Sequence, residues 1–166
     1  MEFIIRKHGL GFAPNMSVCN SDGNRQFLVK GRWFNLPRTR YWLRDDAGET
    51  LLEIIQDHSA DGTLYSIYEN NIRIGSAGTN APCTCGTINI EGIGHARMLF
   101  GHEIGVPYSL TTEHGVLAEI TATTGLPPEW SIRTVKECNH VHLIAGLAVI
   151  YGEYLKEVME GDGSGD

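Results

Sequence analysis

The stretch His142–Ile150, HLIAGLAVI, decides how this chain is built. From Leu143 to Ile150 it carries no charge. A strand of this composition would be apolar on both faces. A helix would be apolar all the way round, and such a helix must be buried on every side. The continuation Tyr151-Gly-Glu-Tyr-Leu-Lys-Glu-Val-Met159 is rich in helix formers and favours the helix. Glu153, Lys156 and Glu157 are expected to form a solvated last turn. Asn139 is the expected N-cap, so the predicted helix spans Asn139–Met159. Its unbroken apolar run, Leu143–Tyr151, is nine residues long. A membrane span needs about 20. The segment therefore reads as a core helix that the rest of the chain must wrap.

Composition bounds the remainder. A chain of 166 residues is expected to form one domain with a substantial core. Its 42% apolar and 20% charged content is that of a globular protein. The net charge of −7 argues against nucleic acid as a partner. Four cysteines in a chain of this length are too few for a disulfide scaffold. The opening Met1-Glu-Phe-Ile-Ile-Arg-Lys-His8 lacks the long apolar core of a signal peptide. A cytoplasmic, monomeric protein without a transmembrane segment is the expectation.

Before the helix the chain reads as short strands and turns. Strands are expected at Glu2–Lys7, Met16–Asn20, Arg25–Arg32, Arg38–Arg44, Thr50–Gln56, Leu64–Tyr68 and Ile72–Gly75. Ser76–Gly86 reads as a small-residue loop holding Cys83 and Cys85. Further strands follow at Thr87–Glu91, Ala96–Phe100, Tyr108–Thr112, Val116–Ala122 and Trp130–Lys136. Arg38–Arg44 alternates cleanly: Thr39, Tyr41 and Leu43 face one way, Arg38, Arg40, Trp42 and Arg44 the other.

A motif recurs. Tyr41-Trp-Leu43 leads to Gly48 and then Leu52-Glu53-Ile54; Tyr108-Ser-Leu110 leads to Gly115 and then Ala118-Glu119-Ile120. Upstream, Gly31 precedes Pro37 as Gly101 precedes Pro107, and downstream Tyr65-Ser66-Ile67 answers Trp130-Ser131-Ile132. The expected organisation is a single domain over residues 1–160, with pseudo-repeats at about 16–75 and 87–136, the helix at 139–159 and a disordered tail at 161–166. Two such meanders close most economically into an antiparallel barrel of about twelve strands. A barrel that wide cannot be filled by its own side chains, so the apolar C-terminal helix becomes its plug.

The paired Tyr-x-Leu…Gly…Glu-Ile pattern, followed by HLIAGLAVIYGEY, resembles the tubby-like superfamily, and within it the LURP-one-related and phospholipid-scramblase-like branch. The resemblance runs from about Met16 to Lys156 and rests on strand order and the final helix. It implies a closed barrel around a central helix. It also implies a phosphoinositide-binding or membrane-associated role, since tubby proteins bind phosphoinositides and scramblases work at membranes. The chain departs from scramblases in having no Pro-rich N-terminal region and no cluster of cysteines for palmitoylation.

Chemical signatures are sparse. There is no GxSxG, P-loop, Rossmann fingerprint or HExxH. Cys83-Thr-Cys85 is a weak metal candidate, because a closed zinc site needs four ligands, usually with CxxC spacing. Glu53 and Glu119 occupy equivalent places in the repeat and read as structural, so no catalytic residue or cofactor is expected. The charge distribution is more informative. Six of the 13 basic residues lie between Arg25 and Arg44 with no acidic residue among them. Arg38, Arg40, Trp42 and Arg44 share one strand face, and arginine forks match phosphate geometry. That face is the candidate anion or lipid site, against the plain alternative of a solvated surface balanced by Asp45, Asp46 and Glu49. The functional reading is a non-enzymatic binding module for an anionic phospholipid headgroup or another protein. The alternative is a small-ligand carrier or enzyme using a pocket at a barrel end.

Overall fold

A computed structural model describes residues 1–8, 15–32, 38–59, 62–78, 84–123, 129–135 and 137–161. The first six strands are β1 (Glu2–Lys7), β2 (Asn15–Asn20), β3 (Arg25–Arg32), β4 (Arg38–Arg44), β5 (Thr50–Ser59) and β6 (Gly62–Glu69). The second six are β7 (Ile72–Gly78), β8 (Cys85–Ile90), β9 (Gly94–Leu99), β10 (Pro107–Thr112), β11 (Gly115–Ala122) and β12 (Glu129–Thr134). One helix follows, α1 (Val141–Gly161). Each strand pairs antiparallel with its sequence neighbours, and β1 closes the ring on β12. Closure leaves no strand edge unpaired. The barrel of twelve strands with its C-terminal helix is the architecture expected from the sequence.

Alternation sorts each strand's side chains. On β4, Thr39, Tyr41 and Leu43 are buried, while Arg40 is exposed and Trp42 and Arg44 are partly exposed. The side chain of Arg38 lies outside the described residues, as do Cys83 and residues 162–166. The recurring motif falls at one register in both hairpins. Tyr41, Trp42 and Leu43 oppose Ile54, Glu53 and Leu52; Tyr108, Ser109 and Leu110 oppose Ile120, Glu119 and Ala118. Each hairpin then breaks register directly after the leucine, as a β-bulge does.

The helix lies inside the barrel. At one end His142 Nε2 meets Glu69 Oε1 at 3.0 Å, where β6 finishes. At the other, Glu157 reaches Thr63, where β6 begins. So α1 runs antiparallel to β6 along the barrel's length. Leu143 to Tyr151 are buried throughout. Close packing depends on glycines. A Cβ on Gly146 would stand 2.9 Å from Leu52, one on Gly86 of β8 would stand 2.8 Å from Leu147, and one on Gly152 would stand 2.7 Å from the Trp130 ring. The middle of the apolar run and the residue just after it thus pack so closely on the strands that a methyl group would displace a leucine tip or the Trp130 ring.

Two expectations shift. The helix starts at Val141, and the His140 carbonyl accepts the amides of Leu143 and Ile144. His140, not Asn139, holds the cap position. Cys138, in the link from β12, is buried. The expected loop Ser76–Gly86 is also shorter, because Ala77 and Gly78 pair with Gly86 and Cys85 as continuations of β7 and β8. Cys85 is therefore a strand residue.

The two ends of the barrel differ in their connections. At the end where α1 enters, strands are joined by two to five residues: 21–24, 45–49, 70–71, 91–93 and 113–114. Asn70 and Asn71 both have positive φ, 51° and 64°, as a two-residue hairpin turn of the twist-matching type requires. At the opposite end several connections are longer, including 8–14 and 100–106.

Candidate functional site

The basic face forms on the outside of β3 and β4. Register sets its neighbours: Leu28 lies opposite Arg44, Lys30 opposite Trp42, and Arg32 opposite Arg40. On the other flank, Trp42 lies opposite Glu53 and Arg40 opposite Ile55. This offset lets Arg40 Nη1 reach Glu53 Oε1 diagonally, at 3.1 Å. Arg40 is thereby largely neutralised, although an exposed pair of this kind adds little to stability. Further along, Arg25 Nε pairs with Asp46 Oδ1 at 3.2 Å. Two of the basic side chains in the stretch are thus already engaged.

Arg44 is different. Its Nε–H is buried and meets no acceptor among the described residues, while the residue as a whole is partly exposed. A buried donor without an acceptor is costly, more so on a charged group. Lys30 is exposed and has no ion pair among the described residues. The structure therefore brings Arg44, Trp42 and Lys30 onto one patch and sets Arg40 beside it, already paired. Cys85 sits on a different part of the barrel, opposite Gly78 and Leu99. Among the described residues no three or more His, Cys, Asp or Glu side chains gather as a metal would require.

A second constellation lies inside the barrel mouth where α1 ends. Gln56 is its centre. The Tyr41 hydroxyl donates to Gln56 Oε1 at 3.1 Å and also reaches Glu153 Oε2 at 3.3 Å. The Gln56 amide donates to the Tyr65 hydroxyl at 3.1 Å and to Glu157 Oε1 at 3.2 Å. Thr63 Oγ1 donates to Glu157 Oε2 at 3.5 Å and lies 3.3 Å from His58 Nδ1. Burial, with the Glu153 and Glu157 charges after it, drives the Tyr41 phenol far above its ordinary range, and burial with Glu157 and Glu153 does the same to Tyr65. Both hydroxyls stay protonated and act as fixed neutral groups.

Glu153 and Glu157 do not form the solvated last turn that their sequence suggests. Glu157 is exposed, but both carboxylates turn back to the strands. The missed signal was phase. Leu52, Ile54 and Gln56 alternate onto the inner face of β5, so Gln56 is a polar residue at a core position. A buried amide needs partners, and two carboxylates one helical turn apart are the natural ones.

No helix among the described residues is long and apolar enough to cross a membrane. No curated protein and no solved structure matches the chain. The LURP-one-related family model matches residues 1–87, just over half of the chain, and covers β1 to β7 with the start of β8. With that match and a closed barrel around a C-terminal helix, the protein belongs to the LURP-one-related family of the tubby-like superfamily.

Proposed function

We propose that the domain is a non-enzymatic binding module that takes an anionic lipid headgroup on the outer face of β3 and β4, with Arg44 as the principal contact and Lys30 and Trp42 beside it. The observation that carries this reading is the Arg44 Nε–H, buried and without an acceptor among the described residues. The partly exposed guanidinium fork matches a phosphate, and a shift of the Arg44 side chain on binding would give the buried Nε–H its missing acceptor. Trp42 offers an amphipathic ring of the kind that settles at a membrane–water interface. Arg40, held by Glu53, adds less. The alternative is a carrier or enzyme using a pocket at a barrel end; α1, whose apolar side chains are almost wholly buried, leaves such a pocket only the mouths of the barrel.

Magnitude sets the form of the test. Each cation near an anionic surface contributes about 1 kcal/mol. Arg44 and Lys30 together then give about 2 kcal/mol, short of the roughly 4 kcal/mol of millimolar binding. Useful affinity therefore needs specific headgroup contacts or several copies on one membrane, and it must be salt-sensitive. Co-sedimentation with phosphoinositide-containing vesicles at low and high salt is the experiment. Wild type and Arg40→Gln should bind at low salt, and Arg44→Gln should lose most of that binding. Absence of wild-type binding at low salt, or equal binding by Arg44→Gln, would remove the proposal's support.

A further inference from the structure

The mouth cluster has a property separate from the outer face. Glu153 and Glu157 stand one turn apart on α1 and converge on the same strands. The groups turned toward them include, from β4, Tyr41; from β5, Gln56 and His58; from β6, Thr63 and Tyr65. Apart from His58, all of these are neutral donors or acceptors. On the helix itself Lys156 is the adjacent cation. The single Tyr41 proton lies within reach of two acceptors, and the Gln56 amide is divided between a phenol and a carboxylate.

We propose that the end of α1 is a pH-sensitive latch, in which two carboxylates one turn apart share the neutral donors of Tyr41, Gln56 and Thr63, and a proton added to the cluster tightens the helix end against β4–β6. A protonated carboxyl removes the repulsion between like charges at i and i+4. It also supplies a donor where acceptors crowd. Burial pushes the Glu157 carboxyl above its ordinary value; His58 opposes that push, Glu153 adds to it, and the Thr63 bond and Lys156 oppose it. Because Glu157 is exposed, it can exchange protons with solvent without the barrel opening.

The direction follows from linkage. A carboxyl whose folded-state value is raised binds more protons folded than unfolded between its ordinary and raised values. Its contribution to stability is fully present below that window and falls as pH rises through it. The latch is therefore firm in acid and slack toward neutral pH.

Thermal melts of the full chain from about pH 4 to about pH 8 test this, with Glu157→Gln as the variant. The glutamine is a permanent neutral mimic at an exposed position, so the variant should fold. Wild type should lose melting temperature relative to Glu157→Gln as pH rises, with the gap growing to about 2 °C by neutral pH. Amide exchange at Tyr154–Val158, corrected for intrinsic pH dependence, should accelerate over the same range in wild type and stay flat in the variant. Gln56→Leu, which removes the shared amide, should abolish the difference between Glu157 and its glutamine. Parallel melting curves for wild type and Glu157→Gln, or a wild type gaining on the variant as pH rises, would overturn the latch.

Discussion

The two halves of α1 are buried by different chemistry. From Leu143 to Ile150 the helix meets apolar strand faces and glycine gaps. From Tyr151 onward its neighbours are hydroxyls, an amide and aromatic rings. The first half is fixed by shape, since the interior there leaves no space and no polar partner. The second is fixed by hydrogen-bond bookkeeping, which can be altered by one proton or one amide. A single helix can thus be immovable along one part and adjustable along another.

The sharpest way to break the contrast is Leu147→Asp. Leu147 is fully buried against Gly86. A charge there has no partner and no route to water, and a loss of several kcal/mol exceeds what a domain of this size can absorb. The variant should be recovered only unfolded or aggregated. A Leu147→Asp protein that melts cooperatively would show that the first half is not the rigid one.

Gln56→Leu probes the second half. Leucine is of similar size but leaves the Tyr41 and Tyr65 hydroxyls and Glu157 without their shared partner. An expected loss of about 1–3 kcal/mol, read by chemical denaturation, should leave the fold intact. If the variant were as stable as wild type, the cluster would be ornament and the two halves would not differ.

Tyr151→Phe should move stability the other way. Tyr151 packs on Phe100 and Tyr108 with ring centroids 5.5 and 5.6 Å away, and its hydroxyl is buried without a hydrogen-bond partner among the described residues. Removing that oxygen keeps the packing and removes a desolvated donor, so stability should be unchanged or higher by up to about 1 kcal/mol. A clear loss would mean that the hydroxyl has a bonded partner, such as an ordered water, and that the polar cluster extends around the helix.

These residues also show what the sequence could disclose. The plug was legible because eight uncharged residues in a row have few physical homes. The inner and outer faces of β4 were legible because alternation needs no knowledge of neighbours. The mouth cluster was not, because Tyr41, Gln56, Thr63 and Glu157 lie on four elements and meet only when the ring closes. Nor could a count of charges reveal which arginine is engaged. Arg40 and Arg44 flank Trp42 alike along β4, and only the folded structure shows Glu53, which lies opposite Trp42, turned to Arg40.

The order of elements has a consequence for how the molecule comes into being. Every strand from β1 to β12 leaves the ribosome before α1 does. A nascent chain that has not reached Val141 holds twelve strands whose inward faces have nothing to close upon, and its ring is too wide to collapse on itself. Neighbouring hairpins can form as they emerge, since their partners are close along the chain. The dry interior cannot, so final folding is delayed until the helix emerges. Until then the growing chain presents apolar strand faces to solvent, the kind of surface that makes an incomplete chain prone to aggregate.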